Sequence, residues 1–176
     1  MKPRLIIISD LWGLENSGWI NLYFEILIAR FEIQLYDSCK LANISFVDKI
    51  ENQLHDEFIN GGIDLAVENL LNLEKGNISV LAFSIGGTIA WKAGLKGLKI
   101  VNFTAISSTR LRFESTNPDC KIQLYFGEND EDKPVGMWAK NLSVDYEIVE
   151  NEGHEMYKIH DFALKVCSGL ISNLHE

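Results

Sequence analysis

The sequence predicts an α/β protein, a single domain over residues 1–176 in which about six mainly parallel strands carry helices on both faces. Three observations predict it. Short runs of consecutive apolar residues recur along the chain, as in Leu5 to Ser9, and such runs suit strands buried on both faces of a parallel sheet. Segments with apolar residues at helical spacing lie between these runs, as crossover helices require. The 176 residues, 47% of them hydrophobic, are enough to bury a core without disulfides or metals.

The elements follow in order. Leu5 to Ser9 opens as a strand, and Gly13 to Gly18 is a loop. Trp19 to Ala29 places Ile20, Tyr23, Phe24 and Leu27 on one helical face. Phe31 to Tyr36 is a second strand, and the polar Asp37 to Ser45 is a loop. Phe46 to Phe58 is a helix whose N-cap is Ser45, because a serine hydroxyl accepts a bond from an orphan amide. Asn60, Gly61 and Gly62 break it, and Ile63 to Leu73 resumes a helix. Ile78 to Phe83 is the third strand, Ile85 to Leu95 a helix of small residues, and Lys99 to Ser107 the fourth strand. Ser108 to Asp119 is irregular. Lys121 to Phe126 is the fifth strand, and Pro134 opens a short helix, since proline fits the first turn. Val144 to Val149 is the sixth strand, and Tyr157 to Asn173 an amphipathic closing helix.

The formal net charge of −9 argues against nucleic acid as a partner, because phosphate binding needs clustered Lys and Arg. Cys39, Cys120 and Cys167 are odd in number and far apart. They read as buried free thiols, with neither a disulfide framework nor metal-ligand spacing. The apolar run after Arg4 is too short for a secretory leader, and no stretch approaches a membrane span. The expectation is a cytoplasmic chain without a membrane partner, a cofactor or a metal.

Leu81-Ala82-Phe83-Ser84-Ile85-Gly86-Gly87 follows the pattern small-x-Ser-x-Gly, where a strand turns sharply into a helix. Small residues on either side let strand and helix approach, and the serine projects at the helix N-terminus. There the backbone amide of Ile85 can face an oxyanion. A serine needs a base, and the base needs an orienting acid. After the fifth strand, Gly127-Glu128-Asn129-Asp130 supplies an acid, with Asp132 as its rival. After the sixth, Gly153-His154 supplies an imidazole. His55 precedes the serine and lies in a helical segment, His160 falls in the last helix, and His175 is near the terminus. Ser84, Asp130 and His154 are therefore the candidate triad. The second oxyanion amide should come from the loop after the first strand, from Trp12 or, failing that, Leu11. Asp10 is awkward there, since a carboxylate opposes a developing oxyanion. Arg110 and Arg112 follow the fourth strand and are candidates for binding an anionic substrate group, with Leu11 also lining the substrate site.

On these residues the chain resembles the α/β-hydrolases from end to end. Asp10-Leu11-Trp12-Gly13-Leu14, Trp19, Phe83-Ser84-Ile85-Gly86-Gly87, Tyr125 and Asp130 resemble, within that superfamily, the pimeloyl-acyl-carrier-protein methyl ester esterases. The resemblance implies a serine carboxylesterase or thioesterase with Trp12 and Ile85 as oxyanion donors. Its substrate would be a small or acyl-carrier-linked ester. Two departures stand out: Asp10-Leu11 replaces His-Gly, and the helical lid, whose basic residues dock the carrier in that group, is reduced to Ser108–Asp119. The competing expectation is a catalytically idle member of the same fold that binds a ligand or a protein.

Overall fold

A computed structural model describes residues 2–175, the side chain of His175 excepted. Six strands, β1 (Arg4–Ile8), β2 (Glu32–Tyr36), β3 (Ile78–Phe83), β4 (Ile100–Ile106), β5 (Lys121–Gly127) and β6 (Asp145–Val149), form one sheet. Their order is β2-β1-β3-β4-β5-β6, and every neighbouring pair is parallel. The order reverses between β1 and β3, and a crevice opens beyond the strand ends at such a point.

The helices are α1 (Asn21–Leu27), α2 (Ser38–Ala42), α3 (Glu51–Glu57), α4 (Ile63–Leu73), α5 (Ile85–Leu95), α6 (Trp138–Leu142) and α7 (His160–Ser172). Strand alternation divides the core in two. Ile6, Ile8, Val80 and Ala82 face a cluster completed by Val67, Leu70, Ile89 and Trp91 of α4 and α5. Leu5, Ile7, Leu81 and Phe83 face the other, completed by Tyr23 and Leu27 of α1 and by Ala163 and Val166 of α7. All six residues of β3 are buried, as expected of a strand covered on both faces.

Three expectations are corrected. The segment after Asp37 is not all loop: Asp37 caps α2, its carboxylate accepting from the Lys40 amide at 2.9 Å. The helix expected from Phe46 starts only at Glu51, because Asp48 takes a left-handed φ of 58°. The Ile50 amide at its start donates to the Gln53 side chain, and Ser45 is not its cap. Pro134 does not open α6; Gly136, at φ 66°, separates it from the helix that begins at Trp138. The break at residues 60–62 is a kink, with non-helical Asn60 and Gly61 between α3 and α4. Cys39 and Cys167 are buried free thiols, each pushed up to about 12 chiefly by burial. No helix among the described residues is long and apolar enough to cross a membrane.

Candidate active site

Ser84 stands between β3 and α5. Its amide extends the sheet by donating to the Ile106 carbonyl at 3.0 Å, and its φ of 49° and ψ of −122° turn the chain into α5. A non-glycine residue in such a conformation costs on the order of 1–3 kcal/mol, which the buried packing on both sides must offset. Gly86 explains how the helix fits: a Cβ there would lie 2.4 Å from the Ser9 carbonyl oxygen. The serine is 4% exposed and lies in the wall of a cavity of about 660 Å³.

The three triad candidates meet in this cavity. His154 Nε2 is 3.0 Å from Ser84 Oγ, and His154 Nδ1 is 3.1 Å from both carboxylate oxygens of Asp130. Asp132 is further, at 3.9 Å from Nδ1, and its amide donates to Asp130 Oδ1 at 2.9 Å. The acid and histidine loops are stitched together. The Asn129 amide donates to Glu152 O at 2.8 Å, and the Asn151 amide to Glu128 Oε2 at 2.9 Å. Gly127 permits this approach, since a Cβ there would lie 2.5 Å from the Glu152 carbonyl oxygen. Burial pushes the Asp130 carboxyl up, but bonding and charge from His154 hold it below the usual range. Burial pushes His154 down, yet the bond and charge of Asp130, with Asp132 and Glu51 behind it, raise it above an ordinary imidazole.

The loop after β1 departs from expectation. The Trp12 amide does not face the cavity freely; it donates to Asp10 Oδ1 at 3.0 Å. Asp10 is 1% exposed and also accepts from Ser17 Oγ at 3.4 Å and Tyr157 Oη at 3.2 Å. Burial raises its carboxyl despite these bonds. Asp10 thus ties the loop after β1 to the turn that carries His154. Leu11, the fallback to Trp12, lines the cavity, and its amide meets no acceptor among the described residues.

The two arginines go elsewhere. A 3₁₀ turn over Leu111–Phe113 buries Leu111 and folds both guanidiniums over Phe113, at 5.0 and 4.6 Å from the ring centre. Arg112 pairs with Asp132, and Arg110 lines a neighbouring cleft with Lys92 and Glu114. Neither lines the cavity around Ser84. The expectation that they bind an anionic substrate group at this cavity is corrected by this turn, which folds both side chains over Phe113. His55, set aside because it precedes the serine, lies on the cavity wall with Glu51 and Asn52 of α3. Helical spacing of four places Glu51 and His55 on one face, but nothing in the sequence aims that face at Ser84. Asp130, Asp132 and His154 offer ligand atoms within 4.8 Å of one another. A metal there would need an unprotonated Nδ1, the atom now facing Asp130.

No protein-family model and no curated protein sequence matches the chain. Solved structures do. A protein of Xanthomonas campestris pv. campestris assigned to the alpha/beta hydrolase superfamily superposes with a TM-score of 0.72 at 16% identity, over 98% of this chain and 99% of that one. A Klebsiella pneumoniae protein assigned as a dienelactone hydrolase gives 0.73 at 12%, over 97% and 85%. Est1E of Butyrivibrio proteoclasticus, with ferulic acid bound, gives 0.66 at 12%, over 99% and 90%. The chain has the α/β-hydrolase fold.

Proposed function

We propose that this chain, an α/β-hydrolase in fold, is a serine hydrolase that cleaves a carboxylic ester or thioester through an acyl-enzyme on Ser84. One observation carries the reading: an unbroken chain of contacts runs from Ser84 Oγ through both His154 nitrogens to Asp130, on a serine held at a strained strand-to-helix turn. The site of a neighbour that holds ferulic acid, itself a carboxylic acid, supports acyl chemistry on this fold.

In the mechanism His154 takes the Ser84 proton as Oγ attacks the acyl carbon, and Asp130 orients the imidazole and stabilises its cation. The tetrahedral oxyanion accepts from the Ile85 and Leu11 amides, which are fixed before reaction. Collapse expels the alcohol or thiol, protonated by His154. Water, deprotonated by the same imidazole, then releases the acid and restores Ser84. The narrower reading, an acyl-carrier-linked methyl ester, draws no support from the cavity, which among the described residues no lysine or arginine lines.

The test is covalent and catalytic together. A neutral fluorophosphonate labels Ser84 in the wild type and not in Ser84→Ala, read by mass spectrometry of the active-site peptide. Turnover of a short aryl ester falls in Ser84→Ala by a factor of about 10⁴ to 10⁶. An unlabelled wild type, or a Ser84→Ala protein with most of the wild-type rate, leaves the idle binding module as the reading of this fold.

A further inference from the structure

We propose that the site takes esters carrying a positive charge, an ammonium or guanidinium group on the acyl or the alcohol side. The inference rests on the serine-hydrolase reading and adds the substrate class. Around Ser84 the cavity is walled by Glu51 of α3, by Glu131 and Asp132 after β5, and by Glu155 beside the histidine. Among the described residues neither a lysine nor an arginine lines it. Asp132 is held by Arg112 and Glu155 by Lys158, but Glu51 and Glu131 have no basic partner among the described residues. Both are exposed to the solvent that a substrate would cross.

The same cavity opens on Ser84 and His154, so charge on these walls acts on whatever substrate reaches the serine. Asp10 adds no free acceptor, because Trp12, Ser17 and Tyr157 already occupy its carboxylate. Walls of one sign focus the field in a cleft, and the chain's net charge of −9 has that same sign. These carboxylates also stabilise the imidazolium of His154 whatever the substrate. The preference must therefore be read as a ratio between matched esters, in which that contribution cancels.

The experiment uses the intact chain and six esters in two sets of three. In each set one terminus is tert-butyl, trimethylammonium or carboxylate at equal length, placed on the acyl side in one set and on the alcohol side in the other. kcat/KM is measured by titrating the released acid, with EDTA present because Asp130, Asp132 and His154 could take a divalent ion. The expected result is a cationic ester preferred over its neutral match by on the order of tenfold at low ionic strength, with the carboxylate slowest and the gap closing as salt rises. The set with the larger ratio identifies the side that bears the charge. Glu51→Gln and Glu131→Gln each lower the ratio of cationic to neutral rates. Equal rates across both sets in a protein that the fluorophosphonate labels at Ser84, or a preference for the carboxylate, overturn the charge inference and leave the hydrolase standing. No cleavage and no labelling remove the hydrolase reading, and this inference with it.

Discussion

His154 sits where two demands oppose each other. As a base it must be neutral, yet burial, which pushes it down, is outweighed by Asp130, Asp132 and Glu51, which raise it. The acidic limb of kcat/KM is therefore expected above the ordinary imidazole value of about 6.5. Asp132 lies 3.9 Å from Nδ1 and contributes charge without the close contact of Asp130. Asp132→Asn moves the limb to lower pH and keeps substantial activity. Asp130→Asn, which removes the partner at 3.1 Å, costs on the order of 10⁴ in kcat through the wrong tautomer. pH–rate profiles of the three proteins check both statements, and reversed phenotypes would make Asp132 the orienting acid. Stability has the opposite sign. A histidine raised by folding stabilises fully below about pH 6.5, and that contribution is lost as pH rises through the folded value.

Between elements, one ionic cluster fastens the sheet edge to its covering helix. Arg4 opens β1, Tyr36 ends β2 and Glu74 follows α4. Arg4 reaches the Glu74 carboxylate with two nitrogens, at 2.8 and 2.7 Å, and Tyr36 Oη donates to it at 2.6 Å. Glu74 is nearly fully buried while Arg4 is 32% exposed, so the pair is only partly desolvated. Arg4→Met strands a buried carboxylate and is expected to cost on the order of 1–3 kcal/mol, below the range for a fully buried pair. Burial pushes Glu74 up, but Arg4 and Tyr36 outweigh it and hold the carboxyl below its usual value. The sign follows: the advantage of the wild type is present above about pH 4.3 and is lost as pH falls through the folded Glu74 value. Urea denaturation of both proteins from neutral pH down to about pH 3 measures the convergence, and parallel curves would mean that Glu74 does not titrate against Arg4.

Across the molecule, one of the two cores reaches the candidate site. Phe83 ends β3 next to Ser84 and packs against Trp19, Tyr23 and Tyr157 at centroid distances of 4.6, 4.9 and 5.5 Å. Tyr157 lies in the turn that begins at His154 and bonds Asp10 of the loop after β1. One aromatic cluster thus joins the segments that carry Ser84, His154 and Asp10. Phe83→Ala is expected to lower stability by about 3–5 kcal/mol. On the proposed mechanism it should also reduce kcat more than KM, because it loosens the segments that carry Ser84, His154 and Asp10 at once. Denaturation curves and steady-state kinetics test this together. A stable variant with unchanged kcat would show that the loops hold the site without the cluster.

Much of this is legible in one dimension because it depends on neighbours along the chain. β1 follows from an unbroken apolar run, the other strands from apolar-rich segments between turn residues, and the turn at Ser84 from small residues beside a serine. Asp130 and His154 follow from acid and imidazole placed after the fifth and sixth strands. What depended on packing was not legible. Asp48 and Gly136 moved two helix starts through backbone angles that composition does not specify. Arg110 and Arg112 turned from the cavity because burial of Leu111 selects a 3₁₀ turn. The Trp12 amide was taken by Asp10, whose carboxylate is also held by Ser17 and by Tyr157, 147 residues away. The acidic wall joins Glu51 of α3 to Glu131 after β5, segments far apart in the chain that only the tertiary fold brings to one cavity. Local patterns are set by steric and hydrophobic preferences of adjacent residues; the field at the serine sums over charges that only folding places there.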